Sequence, residues 1–234
     1  MMGRDGRGML MPSKAAKPKL RQSIVRAARR ARRRRKIGRP VFEGLMDPLF
    51  PTTYFIRNLR ALEKEPGWNT LSFRSRRNRL LCMLDERASF FLEVRQWVDG
   101  GQLERPSTPD PFDAPDVEGG AKLCDPSEYC THCGGCCEIA GGLPDFPEPA
   151  PLPSPWRRAF GDGLGKGHRF CPFLWEVEGS GDSICAVHFC RPNPCRAFER
   201  DECEFLRRDP AYIDLSHPDE LLKGLRSLLR LING

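Results

Sequence analysis

The stretch Cys130-Thr131-His132-Cys133-Gly134-Gly135-Cys136-Cys137 lies within a segment whose composition opposes regular secondary structure. Residues 104–155 contain eleven of the 22 prolines in the chain, so we expect turns and extended backbone there. The two-residue spacers allow thiolates to converge on one ion or cluster, and Gly134-Gly135 permits a tight turn. The sequence therefore predicts that a bound metal, rather than a hydrophobic core, organises this region.

Two further cysteine motifs follow downstream. The first is Cys171-Pro172-Phe173-Leu174, and the second is Cys185-x4-Cys190-Arg191-Pro192-x2-Cys195-Arg196-x-Phe198. Eight cysteines between residues 130 and 195 match the number needed for two four-coordinate sites. Neighbouring Cα atoms lie about 3.8 Å apart, below the roughly 4.4 Å of an ordinary disulfide, so Cys136 and Cys137 are not expected to pair. One can complete the first site while the other reaches a second metal, bridges two metals or stays unbound.

Cysteine usage and hydropathy limit the class of protein. The chain has 234 residues and 11 cysteines, and no apolar run approaches the roughly 20 residues of a membrane-spanning helix. No apolar stretch follows the basic N-terminal region, which disfavours a secretory signal. We therefore expect a cytoplasmic protein with reduced thiols, in which metal or redox chemistry is favoured over disulfides. Thiolate ligands suit both zinc and an iron–sulfur cluster, so the spacing leaves the metal open.

The charge is divided unevenly along the chain. The formal net charge is +7, but residues 1–40 hold fifteen basic residues and one acid, which leaves −7 for the other 194 residues. Like-charge repulsion predicts a disordered or conditionally helical arm, which a polyanion such as nucleic acid would neutralise. The residues predicted to contact a polyanion are Arg29, Arg30, Arg32, Arg33, Arg34, Arg35 and Lys36.

The remaining pattern predicts an α+β fold that is mainly helical. Helices are expected near residues 53–65 and 72–99, with Cys82 as a small buried residue of the second helix. A hairpin is expected over residues 173–187. A C-terminal helix should begin at a capping box formed by Ser216 and Asp219.

The expected architecture is a small irregular metal-stabilised domain flanked by helices. Its segments are a basic disordered arm at 1–40, a helical segment at 41–103, a Pro-rich linker at 104–123, a Cys-cluster domain at 124–206 and a packed helix at 207–234.

The cysteine motifs together resemble the YkgJ-like cysteine-cluster family, which is described as a zinc- or iron-chelating domain. The resemblance covers about residues 124–206 and rests on the order CxxCxxCC, Cys-Pro-Phe-Leu and Cys…Arg-Pro-x-x-Cys-Arg-x-Phe. By position it implies a set of metal ligands. These are Cys130, Cys133, Cys136, Cys137, Cys171, Cys185 and Cys195.

Other residues near these motifs are weaker candidates. Cys190 is additional to the family pattern, Cys124 and Cys203 flank it, and the family usually has an aromatic residue where this chain has His188. His132 and His188 lie between cysteines and are candidates either to bind the metal or to donate hydrogen bonds to sulfur. Arg191 and Arg196 are expected to offset thiolate charge through hydrogen bonds.

Three functions follow from these patterns. The leading prediction is a protein that binds zinc or an iron–sulfur centre, with the metal organising the domain. The second is an iron–sulfur-dependent redox or protein-modifying enzyme, because a related cysteine cluster occurs in flagellin lysine methylases. The third is a protein that associates with nucleic acid or the ribosome through residues 20–39.

Overall fold

The computed structural model of the chain describes residues 16–100, 134–139, 169–177, 182–187, 200–208 and 217–234. Within these ranges helices predominate, and the strands form one two-stranded antiparallel sheet. This confirms the mainly helical α+β class. The elements in chain order are α1 (Ala16–Arg33), α2 (Arg39–Met46), α3 (Thr52–Lys64), α4 (Pro66–Thr70), α5 (Phe73–Asp99), α6 (Gly135–Ile139), β1 (Leu174–Glu176), β2 (Ser183–Cys185), α7 (Arg200–Arg208) and α8 (Pro218–Asn233).

The long helix α5 begins and ends as its sequence predicts. The Ser72 hydroxyl caps it by accepting a 3.1 Å hydrogen bond from the Ser75 amide, and Gly100 follows its last residue. Its inner face includes Leu80, Leu84 and Phe91, which are buried at the expected helical spacing. The expectation that Cys82 is buried was wrong, because this residue lies on the exposed face of α5.

Helix α1 differs from the predicted disordered arm. Its inner face is buried against the core, and it packs on α2 and α8. The buried apolar residues are Leu20, Ile24, Ala27, Ala28 and Ala31. They recur every three or four positions, and the small alanines let neighbouring helices approach closely, while the arginines from Arg26 onward lie on the outer face. Of the two predicted states, disordered or conditionally helical, residues 16–33 are helical in the structure and are packed on the core, whereas residues 1–15 lie outside the described part of the chain.

A buried arginine joins α1 to the next two helices. Arg21 donates a 3.0 Å hydrogen bond to the Thr52 hydroxyl and also donates to the carbonyl of Asp47. The Nη2 atom of Arg21 also donates to the Leu45 carbonyl at 3.4 Å. Arg21 thus satisfies carbonyl groups at the end of α2, which have no partner within that helix.

Helix α8 lies across α1, α3 and α5. Its apolar face is buried at Leu221, Leu225 and Leu228, while Leu222 is exposed. The helix is capped by His217, whose Nδ1 accepts a 3.3 Å hydrogen bond from the Asp219 amide. Ser216, the expected cap, lies outside the described residues.

The predicted hairpin is confirmed and packs on the helices. Strand β1 pairs with β2 in antiparallel register, with Trp175 opposite Ile184. The Trp175 ring contacts the Phe91 ring of α5 at a centroid distance of 5.8 Å. Glu176 is buried, and its carboxylate accepts hydrogen bonds from the Thr53 amide (2.7 Å) and the Thr53 hydroxyl. The hairpin therefore caps α3 from outside that helix.

One hydrophobic core includes residues of α1–α5, of the hairpin and of α8. Parts of the predicted Cys-cluster domain therefore pack directly on the predicted helical segment. The Pro-rich linker at 104–123 lies outside the described residues. In the part of the chain that the structure describes, no helix has both the length and the apolarity needed to cross a bilayer.

Candidate metal centre

The structure describes four of the candidate ligand side chains. Cys171 is buried, and Cys137, Cys185 and Cys203 are partly buried. Cys136 contributes its backbone to α6. The other candidate ligands and charge-compensating residues lie outside the described residues. They are Cys124, Cys130, Cys133, Cys190, Cys195, His132, His188, Arg191 and Arg196.

A backbone hydrogen bond joins the first two cysteine motifs. The Cys171 amide donates to the Cys137 carbonyl oxygen at 2.7 Å, although 34 residues separate the two along the chain. The contact places the end of the CxxCxxCC run beside the start of Cys-Pro-Phe-Leu. Cys137 and Cys171 are consecutive members of the ligand set that the resemblance implies. The fold therefore brings together two motifs that lie far apart in the sequence.

Gly134 lets the first motif approach α3 closely. It has a φ of +73°, in the left-handed region that glycine enters without steric cost. A Cβ atom at this position would lie 2.6 Å from Cζ of Tyr54 and would overlap the Tyr54 hydroxyl. Helix α6 begins at the next residue. The glycine predicted to permit a tight turn therefore also permits this close packing.

The third motif reaches the same region through the hairpin. Cys185 lies opposite Leu174 in the β1–β2 register. The Leu174 amide donates to the Cys171 carbonyl at 3.2 Å, and the Ala186 amide donates to the Phe173 carbonyl at 2.9 Å. Helix α7, which carries Cys203, packs on α6. Cysteines from several separate segments thus lie on elements in mutual contact.

The contact between the Cys137 and Cys171 segments is called the junction below. Arg87 of α5 is fully buried behind it. Its Nη1 donates to the Cys171 carbonyl at 3.1 Å, and its Nη2 donates to the Phe170 carbonyl at 2.9 Å. The guanidinium carbon lies 3.8 Å from the centroid of the Phe170 ring. Burial lowers the pKa of Arg87 to about 9, against the opposing attraction of negative charge at Cys171. Arg87 therefore remains a cation at neutral pH and is hydrogen-bonded to the backbone of a candidate ligand residue.

Arg57 of α3 supplies a second buried cation. Its Nη2 lies 2.7 Å from a carboxylate oxygen of Glu138, which belongs to the same short helix as Cys136 and Cys137. Burial raises the pKa of Glu138 to about 7, and the nearby Arg57 acts in the opposite direction. The ion pair therefore attaches α6 to α3 within a region of low solvent access.

The described residues do not by themselves form a complete metal site. Among them, no group of three His, Cys, Asp or Glu side chains lies close enough to hold an ion. Cys130 and Cys133, which the spacing places earliest in the ligand set, lie outside this part of the chain. Cys137, Cys171 and Cys185 thus lie on segments that contact one another, but they do not form a complete site among the described residues.

Neither buried arginine was among the residues predicted for the site. Arg87 follows Leu84 by three residues and precedes Phe91 by four, so it interrupts the apolar stripe of α5. A cation within such a stripe is a signal for a buried partner. Arg57 offers a similar signal, because it lies between Ile56 and Leu59 on a helix that is largely buried.

The predicted polyanion-binding residues also have defined positions. Arg29, Arg30, Arg32 and Arg33 lie on the exposed face of α1, and Arg34 and Arg35 are exposed just beyond its end. Lys36 is partly buried. The basic residues of this region therefore project from a packed helix.

Comparison of the chain with protein-family models, with curated proteins and with solved structures finds no match. The resemblance to the YkgJ-like family stays a prediction based on motif order and spacing.

Proposed function

We propose that this protein binds zinc or an iron–sulfur cluster through its cysteine-rich segments, and that the metal holds those segments against the helical core. The observation that carries the proposal is the 2.7 Å hydrogen bond between the Cys171 amide and the Cys137 carbonyl. It connects two motifs whose spacing already suggests thiolate ligands. Cys137, Cys171 and Cys185 are the described residues assigned as ligands, with Cys130, Cys133, Cys136 and Cys195 completing the set.

The electrostatics of the junction favour a ligand set with negative charge. Four thiolates around one Zn²⁺ carry a net charge of −2, which is costly to bury without compensation. Arg87 places a desolvated guanidinium at the Cys171 backbone, and low solvent access strengthens its attraction to thiolate sulfur. A buried cation in this region favours the deprotonated form of cysteine, which is the form that binds metal.

The test is anaerobic purification of the full chain, followed by quantification of zinc, iron and acid-labile sulfide in one sample. We expect either tightly held zinc in a colourless protein or iron with sulfide in a brown protein. Absence of both metals, together with failure of the reduced protein to take up either one on reconstitution, contradicts the proposal.

Cys171→Ser and Cys82→Ser form a matched pair for this measurement. Each removes one thiol, but Cys171 is buried at the junction while Cys82 lies on the exposed face of α5. We expect Cys171→Ser to lower metal content or affinity by about 10-fold or more, and Cys82→Ser to retain the wild-type content. Equal metal content in the two variants would exclude Cys171 as a ligand.

A further inference from the structure

An open basic cleft lies where three helices meet, away from the cysteine motifs in sequence. It has a volume of about 470 Å³ and is formed by the C-terminal turn of α1, the first turns of α5 and the end of α8. Its lining residues are Arg35, Lys36, Phe73, Arg74, Arg77 and Gly234. Four of these six residues carry positive side chains, and none has an acidic side chain.

Contacts within the cleft hold two of these cations in place. Arg77 donates from Nη2 to the Lys36 carbonyl at 3.1 Å, which connects α5 to the turn after α1. Lys36 in turn donates to the carbonyl oxygen of Asn233 and, at 3.2 Å, to a terminal carboxyl oxygen of Gly234, which is the negative group of the cleft. These bonds fix the relative positions of the three helices, so the cleft is formed before any ligand binds.

Arg35 occupies a position at which glycine is the usual residue. Its φ is +55°, and it ends α1 through two characteristic bonds, from the Arg35 amide to Arg32 (3.0 Å) and from the Lys36 amide to Ala31 (2.9 Å). A side chain in this left-handed conformation has a steric cost that glycine avoids. Strained residues of this kind concentrate at functional sites. Here the strained residue adds a cation to the cleft.

The basic surface extends from the cleft along α1. Arg26, Arg29, Arg30 and Arg33 are exposed at i, i+3, i+4 and i+7, so they form one stripe that leads to Arg35. The stripe runs from Arg26 to Arg33, which is roughly 10 Å of helix. A stripe of this length matches an extended polymer of phosphates better than a single phosphate group. Duplex DNA presents one charge per about 1.7 Å of its axis.

The packing of α1 disfavours an anionic membrane as the partner. A membrane-surface helix inserts its apolar face into the bilayer. In this protein that face, which includes Ile24, Ala28 and Ala31, is fully buried in the core. Among the described residues, the cationic face of α1 is the one exposed to solvent, and it is suited to phosphates on the surface of a nucleic acid.

From these observations we infer that the cleft and the α1 stripe form a composite binding surface for the phosphate backbone of nucleic acid. Arg35, Arg74 and Arg77 are the phosphate contacts in the cleft, and the α1 arginines extend the surface. The site requires the packed helices, and it does not depend on the metal proposed above.

The test uses the full-length protein and two fluorescent probes, a 20-base-pair DNA duplex and a 20-nucleotide single-stranded RNA. Binding is followed by anisotropy at several salt concentrations. The double variant Arg35→Gly/Arg74→Gln removes two cleft cations without removing Arg77, which has a bond to Lys36. We expect affinity to fall roughly tenfold per arginine at 0.1 M salt, and the salt-dependence slope for the duplex to decrease by about 1.8.

The control variant is Arg169→Gln/Arg208→Gln, which makes the same change in net charge at two exposed arginines outside the cleft. We expect it to retain most of the wild-type affinity. Because Arg35→Gly removes a strained side chain, the cleft variant should keep or increase its thermal midpoint, so weaker binding would not reflect unfolding.

Three results would overturn the inference. The first is the absence of binding of either probe by the wild-type protein at 50 mM salt. The second is an equal loss of affinity in the cleft and control variants, which would indicate a general charge effect. The third is displacement of the probes by millimolar inorganic phosphate or by vesicles with 30% phosphatidylserine, which would indicate a single-phosphate site or a membrane surface.

Discussion

Gly134 is the residue at which the cysteine segment turns against α3. Its positive φ and its contact with Tyr54 both depend on the absence of a Cβ atom. We predict that Gly134→Ala lowers the free energy of unfolding by about 2–4 kcal/mol, from backbone strain and overlap with the tyrosine ring. Because the turn positions the Cys136-Cys137 pair, metal content should fall as well. Urea denaturation and metal quantification on the same preparation measure both effects.

Gly67→Ala is the control for this prediction. Gly67 lies in the short helix α4, and no atom lies within 4 Å of the position that its Cβ would occupy. Alanine is favoured over glycine within a helix, so the substitution should leave stability unchanged or raise it by up to about 1 kcal/mol. If Gly134→Ala behaves in the same way, Tyr54 does not confine the turn as the structure indicates.

At the scale of single elements, α1 has one face in the core and one in solvent. We predict that Ala28→Glu and Arg29→Glu, which introduce the same residue at adjacent positions, differ strongly in stability. Ala28 has no exposed surface, so a buried carboxylate there should lower the free energy of unfolding by more than about 3 kcal/mol. Arg29 is exposed, and its substitution should cost below about 1 kcal/mol. Chemical denaturation measures both, and equal small effects would support an unpacked arm.

The contact between α8 and α3 includes an ionic network that predicts a dependence on pH. The Glu220 carboxylate accepts hydrogen bonds from Nζ of Lys223 at 2.7 Å and from Nη2 of Arg60 at 2.8 Å. These hydrogen bonds lower the pKa of the Glu220 carboxyl to about 2. The unfolded chain therefore binds a proton more readily than the folded protein at pH values between about 2 and the ordinary value of 4.5. The contribution of Glu220 to stability is fully present above pH 4.5 and is lost as the pH falls toward 2.

Glu220→Gln tests this contribution. After allowance for solvent screening, we predict a loss on the order of 1 kcal/mol at pH 7 and a smaller difference from the wild type at pH 3. Urea denaturation at the two pH values measures it. Glu43→Gln, which disrupts an exposed pair with Arg39, should change stability little and serves as the control. A larger loss from Glu220→Gln at pH 3 than at pH 7 would contradict the assigned pKa direction.

At the scale of the whole molecule, α1 is part of the continuous core rather than a detachable arm. Deletion of residues 1–36 would expose the apolar surfaces of α2 and α8 that pack on α1. We predict that this truncation broadens or abolishes the cooperative thermal transition and increases binding of a hydrophobic dye. Circular dichroism and dye fluorescence measure these changes.

A triple variant separates packing from charge in that experiment. Arg29→Gln/Arg30→Gln/Arg33→Gln removes three exposed charges while leaving the buried face of α1 intact. We expect a cooperative transition close to that of the wild type. If the truncated protein also retains such a transition, the contacts of α1 do not support the core.

Part of the fold could be predicted because the spacing of apolar residues along the chain indicates the same faces that tertiary packing buries. The spacing of Leu80, Leu84 and Phe91 predicted the inner face of α5, and Ser72 predicted where that helix begins. Two short apolar runs on either side of a glycine-containing turn predicted the hairpin. The cysteine spacing predicts thiolate ligands at the candidate site, because thiolates two residues apart can converge through local backbone geometry alone, and this stays a prediction.

The sequence by itself determined the main helices, the hairpin and the concentration of cysteines, because each depends on residues close together along the chain. Tertiary structure alone decided that α1 is packed, since alanine and isoleucine overcome charge repulsion only when a partner surface buries them. It also decided that Cys82 is exposed and that Arg87 is buried beside Cys171. These positions depend on contacts between segments distant in sequence, which local spacing does not encode.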